Sequence, residues 1–318
     1  MHQPDSITLG ISSCLLGQEV RYDGGHKNFP FAVRELSRHF EFYPVCPEMA
    51  IGLGTPRPTL RLVRDEQDQT RVRGSKDNAI DVTDALADVA EKTLREAPSI
   101  SGYILCAKSP SCGMERVPVV KPNGDGLGKI GVGAFAGRLM EKLPLLPVEE
   151  NGRLNDPLLR ENFVMRVVAY RRWQELIQTG LTPSALQEFH RRHKFLLLAH
   201  HQTLYRELGP IVADAKTNID SAAAEYIERF MQALLKPAQR SNHSNTLMHL
   251  QGFLKTELDS EERQDLAAQI EQYRIGTLPL LVPLALLERY AKKYHVDYLL
   301  EQYYFHPYPD DLRLRYGL

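Results

Sequence analysis

The sequence predicts an α/β N-terminal domain with a mainly parallel sheet, followed by an all-α C-terminal domain. Three observations carry this. Short apolar runs alternate with helical patterns over the first 150 residues. From about residue 158 onward the apolar spacing is helical throughout. All four cysteines lie at or before residue 112, whereas eight of the eleven histidines lie beyond residue 150. The composition changes near residues 151–156, so the expected domains are 1–157 and 158–318.

The elements follow in order. Residues 7–12 (ITLGIS) form a first strand, and 29–39 a short helix with Pro30 tolerated in its first turn. Residues 40–45 (FEFYPV) are the second strand. Residues 52–76, rich in Gly, Pro, Arg and Asp, read as an extended segment beside a site. Residues 78–96 place Ile80, Leu86, Val89 and Leu94 at helical spacing. Residues 102–106 are a strand, 131–143 a helix, and 145–148 a strand that Pro147 confines to an edge or an end. Helices are expected over 160–178, 183–207, 219–235, 242–255, 259–273 and 280–293, punctuated by Gly180, Gly209-Pro210, Pro237 and 276–279. Thr182 or Ser184 caps the second of these. The aromatic, proline-rich tail packs back on a surface.

Composition bounds the function. Over 318 residues, 39 Lys plus Arg face 40 Asp plus Glu, a net charge of -1. This excludes a wholly basic nucleic-acid coat but not a local basic face. No apolar run has the length of a membrane span, and the N-terminus lacks a basic head joined to an apolar run. A cytoplasmic protein with no membrane partner is expected. The oligomeric state stays open.

The cysteines are the sharpest signal. Cys14, Cys46 and Cys112 each fall at or just past the end of a plausible strand. Open parallel sheets place ligands at that edge, so three thiols from separate strands can share one metal centre. The alternative is scattered buried thiols. No CxxC pair is present, and Cys106, inside the run Tyr103-Ile104-Leu105, reads as a core thiol. In the helical half, residues 188–206 carry Arg191, Arg192, Lys194 and Arg206 against Glu188, with His190, His193, His200 and His201. Such a face is either simply solvated or contacts phosphates.

Read together, Ser12-Ser13-Cys14-Leu15-Leu16-Gly17 with Arg21-Tyr22-Asp23-Gly24, Pro44-Val45-Cys46-Pro47-Glu48 and Lys108-Ser109-Pro110-Ser111-Cys112-Gly113 resemble the DUF523 family, which includes the iron-sulfur thiouracil desulfidases. The second half resembles the DUF1722 domain at Arg191-Arg192-His193-Lys194 and at Gln269, Tyr273 and Arg274. The resemblance implies a [4Fe-4S] cluster held by Cys14, Cys46 and Cys112, with one iron not ligated by protein. It implies catalytic roles for Glu48 and Ser109 and leaves Cys106 outside the ligand set. The implied enzyme is a desulfidase that converts C=S to C=O by hydrolysis, without redox change, on 4-thiouridine or 2-thiouridine in tRNA. Arg191, Arg192, His193 and Lys194 are then candidate RNA contacts.

Two other classes remain: a free thiouracil or thionucleoside desulfidase, and a metal-containing RNA-binding protein without turnover. Lesser candidates are Lys108 to balance cluster charge and Arg21, Tyr22 and Asp23 to shape a pocket. Arg57, Arg61, Arg64, Arg71 and Arg73 contact phosphates or carboxylates, or pair with nearby Asp65, Glu66 and Asp68. The glycines of 121–128 match neither a dinucleotide nor a P-loop signature.

Overall fold

A computed structural model of the chain describes residues 7–97 and 99–315. The chain divides between Asp156 and Pro157 into two units.

The first unit is built on β1 (Ile7–Ser12), β2 (Phe40–Val45), β3 (Leu60–Arg64), β4 (Thr70–Gly74), β5 (Gly102–Leu105), β6 (Val117–Val120), β7 (Gly126–Gly131) and β8 (Val148–Glu150). Its helices are the single turn α1 (Pro47–Ala50), α2 (Thr83–Glu96) and α3 (Ala134–Lys142). One sheet has the order β2-β1-β5-β8 and is parallel throughout. The apolar side chains Leu9, Ile11, Ile104 and Leu105 are buried there, as parallel strands covered on both faces require. Gly10 sits where a Cβ would stand 2.2 Å from the Tyr103 ring, so only glycine lets that ring lie flat against β1. Tyr103 in turn meets Phe135 of α3 edge to face at 5.7 Å.

The second sheet departs from expectation. Residues 52–76 contain the antiparallel hairpin β3–β4, and β6 joins β3 in parallel and β7 antiparallel. Alternation at Leu62, Val72, Val117 and Val119 buries one face against Leu86 of α2. Charged residues between these positions mask that alternation in the sequence. The helix α2 begins only at Thr83, so Ile80 lies outside it and is 39% exposed; Ala90 and Thr93 complete its buried face instead. The expected helix at 29–39 is a π-helical turn, Phe31–Glu35, followed by a 3-10 turn, Leu36–Arg38.

The second unit is helical, as expected: α4 (Pro157–Thr179), α5 (Pro183–His200), α6 (Gln202–Asp214), α7 (Ile219–Ala233), α8 (Arg240–Phe253), α9 (Ser260–Ile275), α10 (Leu281–Lys293) and α11 (Asp297–Leu300). Thr182 caps α5 by accepting from the Ala185 amide. The single helix expected over 183–207 is two, because His201 leaves the helical region and caps α6, accepting from the Leu204 amide. His200 and His201 therefore do not extend the face of His193. Asp259 and Glu262 form a capping box at α9, and Gly276 ends it in the left-handed region. The aromatic tail is packed in: Tyr303, Tyr304, Phe305 and Tyr308 are all buried. Among the described residues no helix is long and apolar enough to cross a membrane.

Candidate active site

The carboxyl ends of β1, β2 and β5 converge, and the chain leaves them in opposite directions: β1 is flanked by β2 on one side and β5 on the other. This is the switch point at which parallel sheets leave a crevice. A cavity of about 440 Å³ lies there. It is lined by Cys14, in the 3-10 turn after β1; Cys46, directly after β2; Cys106, directly after β5; and Cys112, in the following loop. The cavity brings Cys14, Cys46 and Cys112 together, along with Glu48 and Ser109.

Each position has a local cause. Ser12, the last residue of β1, accepts the Cys106 amide at 3.0 Å and hydrogen-bonds the Cys112 sulfur, tying two loops to one strand end. Asn151 accepts the Ala107 amide at 3.0 Å and its own amide donates to Leu105 O, which holds the turn after β5. Ser109 Oγ accepts the amides of Ser111 (3.2 Å) and Cys112 (3.1 Å), folding the Ser-Pro-Ser-Cys segment so that Cys112 points inward. Its own O–H stays available to donate. Cys46 precedes the turn α1, whose Glu48 and Met49 amides face its sulfur.

Glu48 is held at both oxygens, each of which keeps a second lone pair. Its Oε2 accepts from Arg57 Nε and its Oε1 from Ser111 Oγ, both at 2.7 Å. Arg57 also donates to Gly54 O and Val20 O, which fixes the plane of its guanidinium. The rest of the arginine run serves the second sheet: Arg61 bonds Asn78, Arg64 pairs with Asp68, Arg71 with Asp81 and Asp84, and Arg73 with Asp81. Arg21, Tyr22, Lys27 and Lys108 line the cavity, whereas Asp23 turns away to cap the Gly25 amide.

Burial pushes the Cys112 and Cys46 thiols up from their ordinary value. Cys14 is raised chiefly by its hydrogen bond with Cys106, then by burial. The same bond lowers Cys106 to about 7, helped by Lys27 and Arg21. Cys106 is thus not the isolated core thiol that its apolar run suggests. The strand stops at Leu105, one residue earlier than expected, and the fourth sulfur faces the other three.

These residues fit an iron-sulfur cluster. Four soft sulfur donors share one cavity walled by cations, and thiolate ligands bring negative charge that cations offset. Among the described residues no three or more donors close around a single metal ion. A cluster spreads its thiolates over separate irons and asks for a shared cavity rather than a common point.

Family matches cover both halves of the chain. Residues 9–151 match the family model described as 2-thiouracil desulfurase, and residues 194–309 match DUF1722, a family of unknown function. The uncharacterized protein YbgA of Escherichia coli (strain K12) is 40% identical over 159 residues, 49% of this chain and 94% of YbgA. The chain belongs to the 2-thiouracil desulfurase family, joined to a DUF1722 domain. The uncharacterized protein YbbK of Bacillus subtilis (strain 168) is 34% identical over 108 residues, 32% of this chain and 71% of YbbK. A solved structure described as the [4Fe-4S]-dependent thiouracil desulfidase TudS is 29% identical and covers 47% of this chain and 94% of its own, with a TM-score of 0.37.

The thiouracil desulfurase domain therefore contains the thiol cavity. The DUF1722 match begins at Lys194, inside the basic stretch. That stretch is only partly available. His193 has 0% exposure, with Nδ1 2.7 Å from Phe189 O and its ring against Phe189 and Tyr303, so it is a core residue and not an RNA contact. Helical periodicity explains this: His193 is four residues from Phe189 and shares its buried face. Arg192 pairs with Glu188, and Arg191 with Glu188 and Glu301. Lys194 and Arg206 make no ion pair among the described residues and line a hollow of about 470 Å³ with Tyr205 and Tyr298. Arg57, Ser12, Ser111 and Cys106 are site residues that sequence reasoning did not place at the cavity.

Proposed function

We propose that this chain is a [4Fe-4S]-dependent desulfidase that hydrolyses the C=S group of thiolated uracil in tRNA, either 4-thiouridine or 2-thiouridine, to C=O. Cys14, Cys46 and Cys112 hold the cluster and leave one iron without a protein ligand. The observation that carries this reading is the cavity itself. Three strand ends deliver cysteines to one crevice that also holds a carboxylate clamped at both oxygens.

When bound, the cluster supplies a soft Lewis acid for the substrate sulfur and for the departing sulfide. Glu48 takes a proton from the attacking water, with its orientation set by Arg57 and Ser111. Donation by these two groups keeps the carboxylate aimed and returns it to the same position after each turnover. The Ser109 O–H donates to the ring or to the developing oxygen while its lone pairs hold the Cys112 loop. Water enters and hydrogen sulfide leaves, so the balance C=S + H2O → C=O + H2S involves no change in oxidation state. Lys27, Arg21 and Lys108 offset the charge of the loaded site.

The helical unit supports an RNA substrate through the hollow of Lys194, Arg206, Tyr205 and Tyr298. Cations beside aromatic rings suit a nucleic-acid strand, and a buried base must be extruded to reach a cavity. The test is sulfide release from tRNA containing 2-thiouridine or 4-thiouridine, and from free 2-thiouracil, by anaerobically reconstituted protein. Faster release from one of the tRNAs, lost in Cys112→Ser, is expected. Release from free 2-thiouracil alone would overturn the tRNA substrate. Release from none, with the cluster intact, would overturn desulfuration.

A further inference from the structure

The strand β8 forms one edge of the parallel sheet and ends on two acids, Glu149 and Glu150, followed by Asn151. All three are buried, and Glu150 is only 6% exposed. Burying a carboxylate costs free energy unless hydrogen bonds and opposite charge offset it.

The offsets are unequal. Glu149 Oε1 accepts from Arg153 Nε at 2.6 Å and from the Glu150 amide at 3.0 Å. Arg153 also donates to Glu115 at 3.0 Å, and Arg116 stands 3.7 Å from the same Glu115 carboxylate. Arg153 and Arg116 are thus taken up by Glu149 and Glu115. Glu150 makes no ion pair among the described residues, and the charges that reach it, from Glu115 and Glu149, are of its own sign. Its partners are backbone donors instead. Its Oε1 accepts the Met114 amide at 2.7 Å, and the carboxylate also faces the Glu115 amide. Hydrogen bonds from donors favour the charged form.

Glu150 pairs in register with Leu105, the residue before Cys106, and Met114 lies two residues after Cys112. Glu150 therefore grips the loop of one thiol from beside the strand that leads to another. It stands outside the cavity lining, whereas Arg21, Lys27 and Lys108 are part of it. Cations line the cavity, and a carboxylate without a cation backs the Cys112 loop.

We propose that Glu150 is a positioning residue with two tasks: its hydrogen bonds fix the loop that carries Cys112, and its uncompensated charge holds the cluster in its oxidised state. The inference rests on reading the thiol cavity as an iron-sulfur site. A fixed negative charge disfavours an added electron and so lowers the reduction potential. The oxidised cluster is the stronger Lewis acid toward a thione sulfur, which is the form that desulfuration without redox change requires.

The experiment separates the two tasks with two variants of the full chain after anaerobic reconstitution. Glu150→Gln keeps an oxygen for the Met114 amide and removes the charge. Its iron per chain should stay at the parent level. Its midpoint potential, from a dye-equilibrated titration followed by the paramagnetism of the reduced cluster, should shift to more positive values. Glu150→Ala removes charge and hydrogen bonds together, so iron per chain should fall by about half or more, with faster hydrogen exchange at the Met114 amide. If that variant melts early, Glu150→Gln decides alone. A residue that only held the loop would leave the potential of Glu150→Gln at the parent value, and that result overturns the proposal. Full iron retention with unchanged exchange in Glu150→Ala overturns it as well. No iron in the parent chain overturns the cluster reading and this inference together, whereas iron in the parent with an unmoved potential in Glu150→Gln overturns this inference alone.

Discussion

Arg57 Nε stands 2.7 Å from Glu48 Oε2, and the two side chains, 3% and 14% exposed, close one wall of the thiol cavity. Nine residues separate them in sequence, yet Arg57 bridges Glu48 to the Val20 and Gly54 carbonyls and so joins three loops. Arg57→Ala should lower desulfuration nearly as far as Glu48→Gln, by roughly 10²-fold or more. It should also cost about 3 kcal/mol of stability, because it leaves a part-buried carboxylate short of its cation. Arg57→Lys should recover little, since an ammonium cannot reproduce the planar fork. Turnover numbers and urea midpoints check this; full turnover in Arg57→Ala would show that Glu48 needs no such support.

Gly133 has its backbone against the Cys112 loop. A Cβ there would stand 2.5 Å from the Ser111 carbonyl and 2.9 Å from the Cys112 amide nitrogen. Backbone cannot yield as a side-chain tip does, so Gly133→Ala should displace Cys112. The expected outcome is loss of iron per chain after anaerobic reconstitution, by about half or more, with helical circular dichroism retained.

Ser109 separates structural from chemical work. Ser109→Ala leaves the Ser111 and Cys112 amides without their acceptor, which should cost about 1–3 kcal/mol and loosen iron retention. Chemical denaturation and iron release to a chelator measure the two effects. Unchanged stability with lost turnover would place its role in the chemistry alone.

A pH-dependent clasp holds the tail of the helical unit. His306 Nε2 lies 3.1 Å from Glu288 and its Nδ1 2.8 Å from Asp310, with Lys292 also on Glu288. Its bond with Glu288 raises His306 above 6.5, and the same bond lowers Glu288 from 4.5 to about 2. The carboxylate's contribution is present above 4.5 and lost as pH falls through about 2. The imidazolium's is present below 6.5 and lost as pH rises through its raised value. The melting difference between the parent and Glu288→Gln should therefore peak between pH 4.5 and 6.5 and shrink on both sides.

For tRNA, the double charge reversal Lys194→Glu with Arg206→Glu should weaken binding and make the salt dependence shallower by about 2 in the log–log slope. Arg192→Ala should change little, because that guanidinium is paired with Glu188. Filter binding over a salt series distinguishes them.

The reach of sequence reasoning follows from how local each feature is. The strand before Cys14 was legible because it is buried on both faces and reads as a nearly unbroken apolar run, and the one before Cys46 because its aromatic residues favour a strand. The hairpin β3–β4 was not, since the arginines interspersed among its apolar residues resemble a loop. The site's motif residues were legible as short strings. The partners of Arg57 and Ser12 were not, because they lie at separations of 9 and 94 residues.

The sequence alone determined the two-part architecture, the presence of three thiol motifs at strand ends and the basic stretch near residue 190, all of which rest on local periodicity or spacing. Only the tertiary structure decided that Cys106 joins the other thiols, that Arg57 and Ser111 clamp Glu48, and that His193 is core rather than surface. The physical reason is that burial and hydrogen-bond partnership are relations between distant residues, created when loops from different strands close on one crevice.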